Sequence, residues 1–136
     1  MRVSLDEDLA AGLRCAGALY TTGGGVVTRD CVFCRIVARE SPADIEYEDD
    51  EILVFKDLYP KAPIHLLVIP KRHIESIATL APEDTPLMGR CVQIAKLLGE
   101  RTGYARRGYR LACHCGPEGG QVVYHVHFHF TAGRRG

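Results

Sequence analysis

The chain has 136 residues, 46% of them apolar and 25% charged, a balance that suits one soluble domain with a single core. Lysine plus arginine and aspartate plus glutamate each number 17, so nothing in the charge marks a nucleic-acid groove or an anionic membrane surface. The longest apolar runs, such as Ile64 to Pro70 with His65 inside it, are far too short to span a bilayer. Six cysteines, four of them in one CxxC and one CxC, with no hydrophobic secretory stretch ahead of them, lead to the expectation of a reducing, cytoplasmic setting.

Residues 1–29 read as an extension ahead of a domain at 30–136. Ser4 and Glu7 are spaced as a capping box, Leu9, Leu13 and Leu19 are loosely helical, and Thr21-Thr22-Gly23-Gly24-Gly25 interrupts them. A weak helix and a flexible linker are expected. A GGG tripeptide is also what a purine-rich ribosome-binding sequence encodes and GTG is a common bacterial start codon, so translation starting at Val26 or Val27 is a further expectation, checked by the mass of the native N-terminus.

Asp30 is a suitable N-cap for a short helix from Cys31 to about Arg39, with Phe33, Ile36 and Val37 toward the core and Cys31 and Cys34 on one side. Ser41-Pro42 ends it. Ile45–Glu48 and Ile52–Lys56 read as a strand pair about Asp49-Asp50, and Tyr59 to Pro63 as a rigid turn held by two prolines. His65 to Pro70, almost wholly apolar, reads as a central strand. Leu87, Met88, Cys91, Ile94, Ala95 and Leu98 recur at helical spacing between about Thr85 and Arg101, with Pro86 in the first turn and Thr102-Gly103 as the stop. Tyr109 to Cys115 is the next strand, followed by a turn at Gly116 to Gly120. In such a strand Cys113 and Cys115 face opposite to His114, so these three cannot share an ion.

Tyr124 to Phe130 closes the series. His125, His127 and His129 stand at alternate positions and, in a strand, share one face, while Val126, Phe128 and Phe130 take the other. The strand therefore carries a row of imidazoles on one side and core on the other. The order helix, hairpin, strand, helix, hairpin predicts a segregated α+β fold. Cys31 and Cys34 suit two ligands of a tetrahedral zinc site completed by two distant histidines, with a free thiol pair as the alternative.

From Cys31 to Gly133 these residues resemble the histidine triad superfamily, and within it the Hint branch of nucleotide-binding phosphoramidases. The resemblance is carried by His125-Val126-His127-Phe128-His129-Phe130, with Thr131 where a seventh apolar residue is usual. It extends to Lys56-Asp57-Leu58, Ala62-Pro63-Ile64-His65, Val68-Ile69-Pro70-Lys71-Arg72-His73 and Gly119-Gly120-Gln121. It implies a five-stranded antiparallel sheet with a short N-terminal helix and one long helix, paired through the long helix and its neighbouring strand into a two-fold homodimer, and Gly89, which allows close approach on that helix, marks the expected seam.

The resemblance also implies roles. His127 would be the nucleophile, oriented by the carbonyl of His125. His129, Gln121 and the Gly120 amide would meet the phosphate, and His65 would support the triad. Asp57 would accept the ribose hydroxyls, and Val32, Phe33, Ile36, Phe55 and Leu58 would form an apolar purine cleft. Cys31, Cys34, His73 and His125 would hold one structural zinc ion. The activity so implied is hydrolysis of purine nucleoside phosphoramidates, of the AMP-NH2 or AMP-lysine type, through a nucleotidyl-histidine and without an organic cofactor. A dinucleoside polyphosphate hydrolase and a non-catalytic nucleotide-binding regulatory dimer are the alternatives. Val122 stands where the family usually has a serine donor, His114 where it has an asparagine contacting ribose or phosphate, and the family's tryptophan-containing tail is not seen after Gly136. A slow enzyme is expected, with His114 partly compensating.

Overall fold

The structure, a computed structural model, describes residues 18–22, 25–28 and 31–133. Ala18–Thr22 (β1) and Gly25–Thr28 (β2) pair antiparallel as a separate two-stranded ribbon, where the sequence reading placed the end of a weak helix, at Leu19, and a linker. The Ser4–Glu7 capping box, Leu9, Leu13 and Asp30 lie outside the described residues.

The domain follows the expected order. Helix α1 spans Val32–Val37, β3 Ile45–Glu48, β4 Ile52–Lys56, β5 Ile64–Pro70, helix α2 Thr85–Thr102, β6 Tyr109–Cys113 and β7 Phe128–Ala132. The last five strands form one antiparallel sheet in the order β3-β4-β5-β7-β6, so β5 is central, as its apolar run predicts. Alternation along the strands splits the core in two. Ile52, Val54, Leu66, Val68, Phe128 and Phe130 face α2, which contributes Leu87, Cys91, Ile94, Ala95 and Leu98. Burying each leucine or isoleucine there contributes about 1.5–3 kcal/mol. Leu53, Phe55, Leu67 and Ile69 face the other way, under Phe33, Ile36 and Val37 of α1.

Helix α2 ends at Gly103, whose φ of 83° is left-handed backbone that glycine adopts without strain. Within the chain, the glycine at a tight contact on this helix is Gly99, where an added Cβ would stand 2.4 Å from the Tyr109 ring. Gly89 has nothing within 4 Å. Cys91 is fully buried in this core, and burial pushes its thiol up to about 12, so it behaves as an inert packing group.

Three expected boundaries move. Helix α1 is six residues long, and its N-cap is Cys31, whose Sγ accepts from the Cys34 amide at 3.3 Å. It stops before Arg39, which sits at a φ of 65°. Strand β6 stops at Cys113, leaving His114 and Cys115 in the following loop. The histidine strand starts only at Phe128 and runs on to Ala132, so His125 and His127 precede it. The reason lies in β5, whose ladder with β7 ends at Val68 opposite Phe128, two residues before Pro70. Proline has no N–H to continue it. The Pro70 carbonyl accepts instead from His125 Nε2 at 2.8 Å, and the Val126 amide turns to the Ile74 carbonyl at 2.7 Å. The alternation of sides survives without the ladder, since Val126 is still buried in the core under α2.

Candidate active site

The departure of residues 124–127 from the sheet draws His125 toward the turn after β5, which carries His73. That turn is anchored from two sides. Lys71, only 1% exposed, pairs with Glu48 at 2.6 Å, while Glu48 also meets Arg39, and Arg72 pairs with buried Asp84. These positioning pairs were missed in the sequence, where the only signal was two consecutive cations at the end of an apolar strand.

Four ligand atoms then converge in a buried cluster: Cys31, Cys34, His73 and His125. His125 Nδ1 is 3.5 Å from Cys31 Sγ, 3.7 Å from Cys34 Sγ and 3.2 Å from His73 Nδ1, and Cys34 Sγ is 3.3 Å from His73 Nδ1. A tetrahedral zinc ion with bonds of about 2.3 Å to sulfur and about 2.0 Å to nitrogen needs edges of roughly 3.6 Å for S to N and roughly 3.3 Å for N to N. The observed edges match. Because the Pro70 carbonyl can only accept, the proton of neutral His125 is on Nε2 and the Nδ1 lone pair faces the cluster. A hydrogen bond with Cys34, and then neighbouring His125, hold the Cys31 thiol well below its usual range against burial, and burial lowers His73. The residues therefore fit a zinc ion in both geometry and donor chemistry. Cys113 packs against the core and Cys115 is exposed, so they do not join His114 in any cluster.

The rest of the row is ordered by two hydrogen-bond chains. His127 Nδ1 donates to the His125 carbonyl at 2.8 Å, which leaves Nε2 with a free lone pair. The Lys61 amide donates to His65 Nδ1 at 2.9 Å, so the His65 proton sits on Nε2, 3.0 Å from His129 Nδ1 and 3.3 Å from Asp57 Oδ2. His129 then accepts on Nδ1 and holds its own proton on Nε2. The cluster Asp57, His65 and His129 is accordingly a hydrogen-bonded relay, because a protonated His65 Nε2 cannot ligate an ion. The Phe33 ring stands edge-on to His127 at 5.1 Å, and the His114 ring lies 4.8 Å from that of His129.

Burial depresses the basicity of His127 and His65, and burial followed by the charges of His127, His114 and His65 pushes His129 down to about 4. Between that value and the ordinary 6.5, the unfolded chain binds more protons at this residue than the folded one, so stability rises with pH across the window and falls on acidification. The melting temperature of wild type is expected to drop more between pH 6.5 and 4 than that of His129→Asn. Equal slopes would contradict the assigned environment.

Several expected contacts are placed differently. The Gln121 amide group donates to the carbonyls of Glu75 and Val123 at 2.8 and 3.1 Å, while its oxygen accepts from the Gly116 amide at 2.9 Å. The Gly120 amide closes a turn on the Pro117 carbonyl at 3.1 Å. In this structure neither is free for a phosphate; both shape the 114–121 loop, because successive turns there consume their own donors. Asp57 Oδ1 already accepts from the Tyr59 amide at 2.8 Å, leaving lone pairs for further donors. Phe33, Ile36 and Phe55 are at most 6% exposed, with Phe33 edge-on to Phe55 at 5.3 Å, so they are a floor rather than an open cleft. Val32 is partly buried beside them, and Leu58 and Val122 are 81% and 85% exposed.

The chain is similar to known proteins in sequence and in fold. The family profile described as "Scavenger mRNA decapping enzyme C-term binding" matches residues 30–135. The purine nucleoside phosphoramidase of Escherichia coli strain K12 is 38% identical over 108 residues, 79% of this chain and 91% of that protein. A HIT family hydrolase from Legionella pneumophila superposes with a TM-score of 0.76 at 43% identity, covering 77% of this chain and 94% of that one. A zinc-bound histidine triad family protein from Mycobacterium smegmatis gives 0.67 at 34%, covering 78% and 76%. The chain belongs to the histidine triad (HIT) family.

Proposed function

We propose that this chain is a hydrolase of purine nucleoside 5′-phosphoramidates that works through a nucleotidyl intermediate on His127. The observation that carries the reading is the hydrogen bond from His127 Nδ1 to the His125 carbonyl, which presents an unprotonated Nε2 from a buried, oriented ring. The name of the Escherichia coli relative supports the substrate class. In this reading Nε2 attacks phosphorus and His129, with Nδ1 occupied by His65, offers Nε2–H to a phosphoryl oxygen. The departing amine takes a proton, and water then releases the nucleoside monophosphate. Asp57 takes the ribose, and the purine lies over Val32 and Leu58, with Phe33, Ile36 and Phe55 beneath.

We assign the four-residue cluster to one structural zinc ion. Bound there, zinc supplies a cross-link between the start of α1 and the His73 and His125 segments. Four protein ligands leave no open position for substrate, so this site holds the row rather than reacting. The free edge of β6 and the outward face of α2, where Val92 is 51% exposed and Gly89 open, support a two-fold homodimer. Among the described residues no helix is long and apolar enough to cross a membrane, and a cytoplasmic setting is part of the proposal.

Turnover of adenosine 5′-phosphoramidate against diadenosine polyphosphates tests the reading. Preference for the phosphoramidate supports it, and AMP binding without turnover of either favours a regulatory dimer. Val122 has no donor, and a missing transition-state donor costs roughly 10² to 10³ in rate. Val122→Ser is therefore expected to raise kcat with little change in KM, and an unchanged kcat would show that another group supplies the donor.

A further inference from the structure

An amine leaves phosphorus only with a proton on the departing nitrogen, since an amide anion is far too basic to be expelled. Most donors along the histidine row are already engaged. His127 Nδ1–H meets the His125 carbonyl, and the His65 Nε2 proton lies near both His129 Nδ1 and Asp57. His129 Nε2–H is the donor proposed for a phosphoryl oxygen. The Gln121 amide group and the Gly120 N–H are consumed by backbone carbonyls, and Val122 has nothing to donate. His73 and His125 are fully buried in the four-residue cluster.

His114 is the exception. Strand β6 ends at Cys113, so this residue lies beyond the edge that the proposed dimer pairs through. Alternation puts it on the side of Ala112, which stands opposite His129, and its ring is 4.8 Å from that of His129. Gly120 lies against the same ring, since a Cβ added there would be 3.8 Å from His114 Nδ1. After burial, the main cause, the charge of His114 is among those that lower both His127 and His129, so it stands within electrostatic reach of the attacking residue too. The side chain is half-buried, and neither ring nitrogen hydrogen-bonds to a described residue. No other of the six histidines has both nitrogens uncommitted.

We infer that His114 is the general acid of the first step, giving its proton to the departing amine nitrogen. The inference rests on the phosphoramidase reading and deepens it. The bond from His127 Nε2 to phosphorus forms as the bond from phosphorus to nitrogen breaks. The electron pair of the broken bond goes to that nitrogen, which takes the proton from the His114 imidazolium and leaves as a neutral amine. Neutral His114 then takes a proton back from solvent, to which its half-buried ring is open. The nitrogen departs on the side of phosphorus away from His127 Nε2, and a ring at the rim of the row reaches it directly or through one water. Imidazole suits the task because it is partly protonated near neutral pH, whereas an asparagine at this position would donate a hydrogen bond without giving up its proton.

The test compares adenosine 5′-phosphoramidate with adenosine 5′-phosphorofluoridate, which are nearly equal in size. One expels ammonia and the other fluoride, which needs no proton. Leaving-group release is followed in a single turnover with enzyme in excess, so the first step is read whatever limits the second. His114→Asn and His114→Gln are expected to slow ammonia release about 10²-fold, the low end of what a positioned acid contributes, and fluoride release less than about threefold. A melting temperature near that of wild type shows that a variant is folded. Equal slowing of both substrates in a folded variant would make His114 a phosphoryl-oxygen donor or a packing group, and unchanged ammonia release would leave the proton to another group; either result overturns the inference. Wild type that releases neither group, or fluoride alone, is a separate result that removes the phosphoramidase reading and this inference with it.

Discussion

His127→Ala is expected to lower turnover of adenosine 5′-phosphoramidate by roughly 10⁴-fold or more while AMP affinity stays within about tenfold of wild type. The separation follows from where the contacts are. His127 is buried and presents one lone pair, which matters only when the bond to phosphorus forms. The proposed ground-state contacts come from Asp57, Val32, Leu58 and His129. Removing the ring also opens space against Phe33, so His127→Asn is the better-packed companion. Retention of the wild-type rate in both variants would show that the nucleophile is elsewhere. His65→Ala should act differently, slowing turnover without abolishing it, because His65 touches His129 rather than phosphorus.

Metal removal should have the largest effect on stability. Purified protein is expected to carry about one zinc per chain, and binding free energy at such a site is folding free energy. With several kcal/mol withdrawn, a chelator should lower the melting temperature by on the order of 10 °C or more. The cluster is buried, so without an ion its two thiols and two facing imidazole nitrogens must share protons at 3.2 to 3.7 Å in a place closed to water. Cys31→Ser should lose the metal while keeping an N-cap acceptor for the Cys34 amide, since a serine hydroxyl serves there at least as well as a thiol. It should keep some activity, since His127 is oriented by a backbone carbonyl that the ion does not supply. Stoichiometric reduced thiols with no metal, or a melting temperature indifferent to chelation, would refute the assignment.

Sequence periodicity read the sides of the sheet well. The strands at Ile45–Glu48 and Ile52–Lys56 lie where their alternation and flanking turns put them, and α2 differs from expectation by one residue at its end. It read sides better than ladders. Alternation at His125 to Phe130 gave the correct faces, but a strand needs a partner, and Pro70 removes the partner two residues beyond the point where pairing ends. The same limit applies to Gln121 and Gly120. Their types suit phosphate contacts, but what their donors do depends on Glu75, Val123, Gly116 and Pro117, which only the folded loop brings near. The buried Lys71 to Glu48 pair joins positions 23 apart and left no local pattern. The four positions of the buried Cys and His cluster did leave one, because a cysteine pair one helical turn apart suits a metal with two distant partners, and His73 and His125 were the histidines that the resemblance supplied.

The central claim is a covalent nucleotidyl-histidine, and its most direct test is mass spectrometry of the protein quenched with acid-free denaturant during turnover of adenosine 5′-phosphoramidate. An adenylyl increment confined to the peptide that contains His127, absent from His127→Ala, is the predicted result. An unmodified chain during full-rate turnover, or an increment on a different residue, would contradict it.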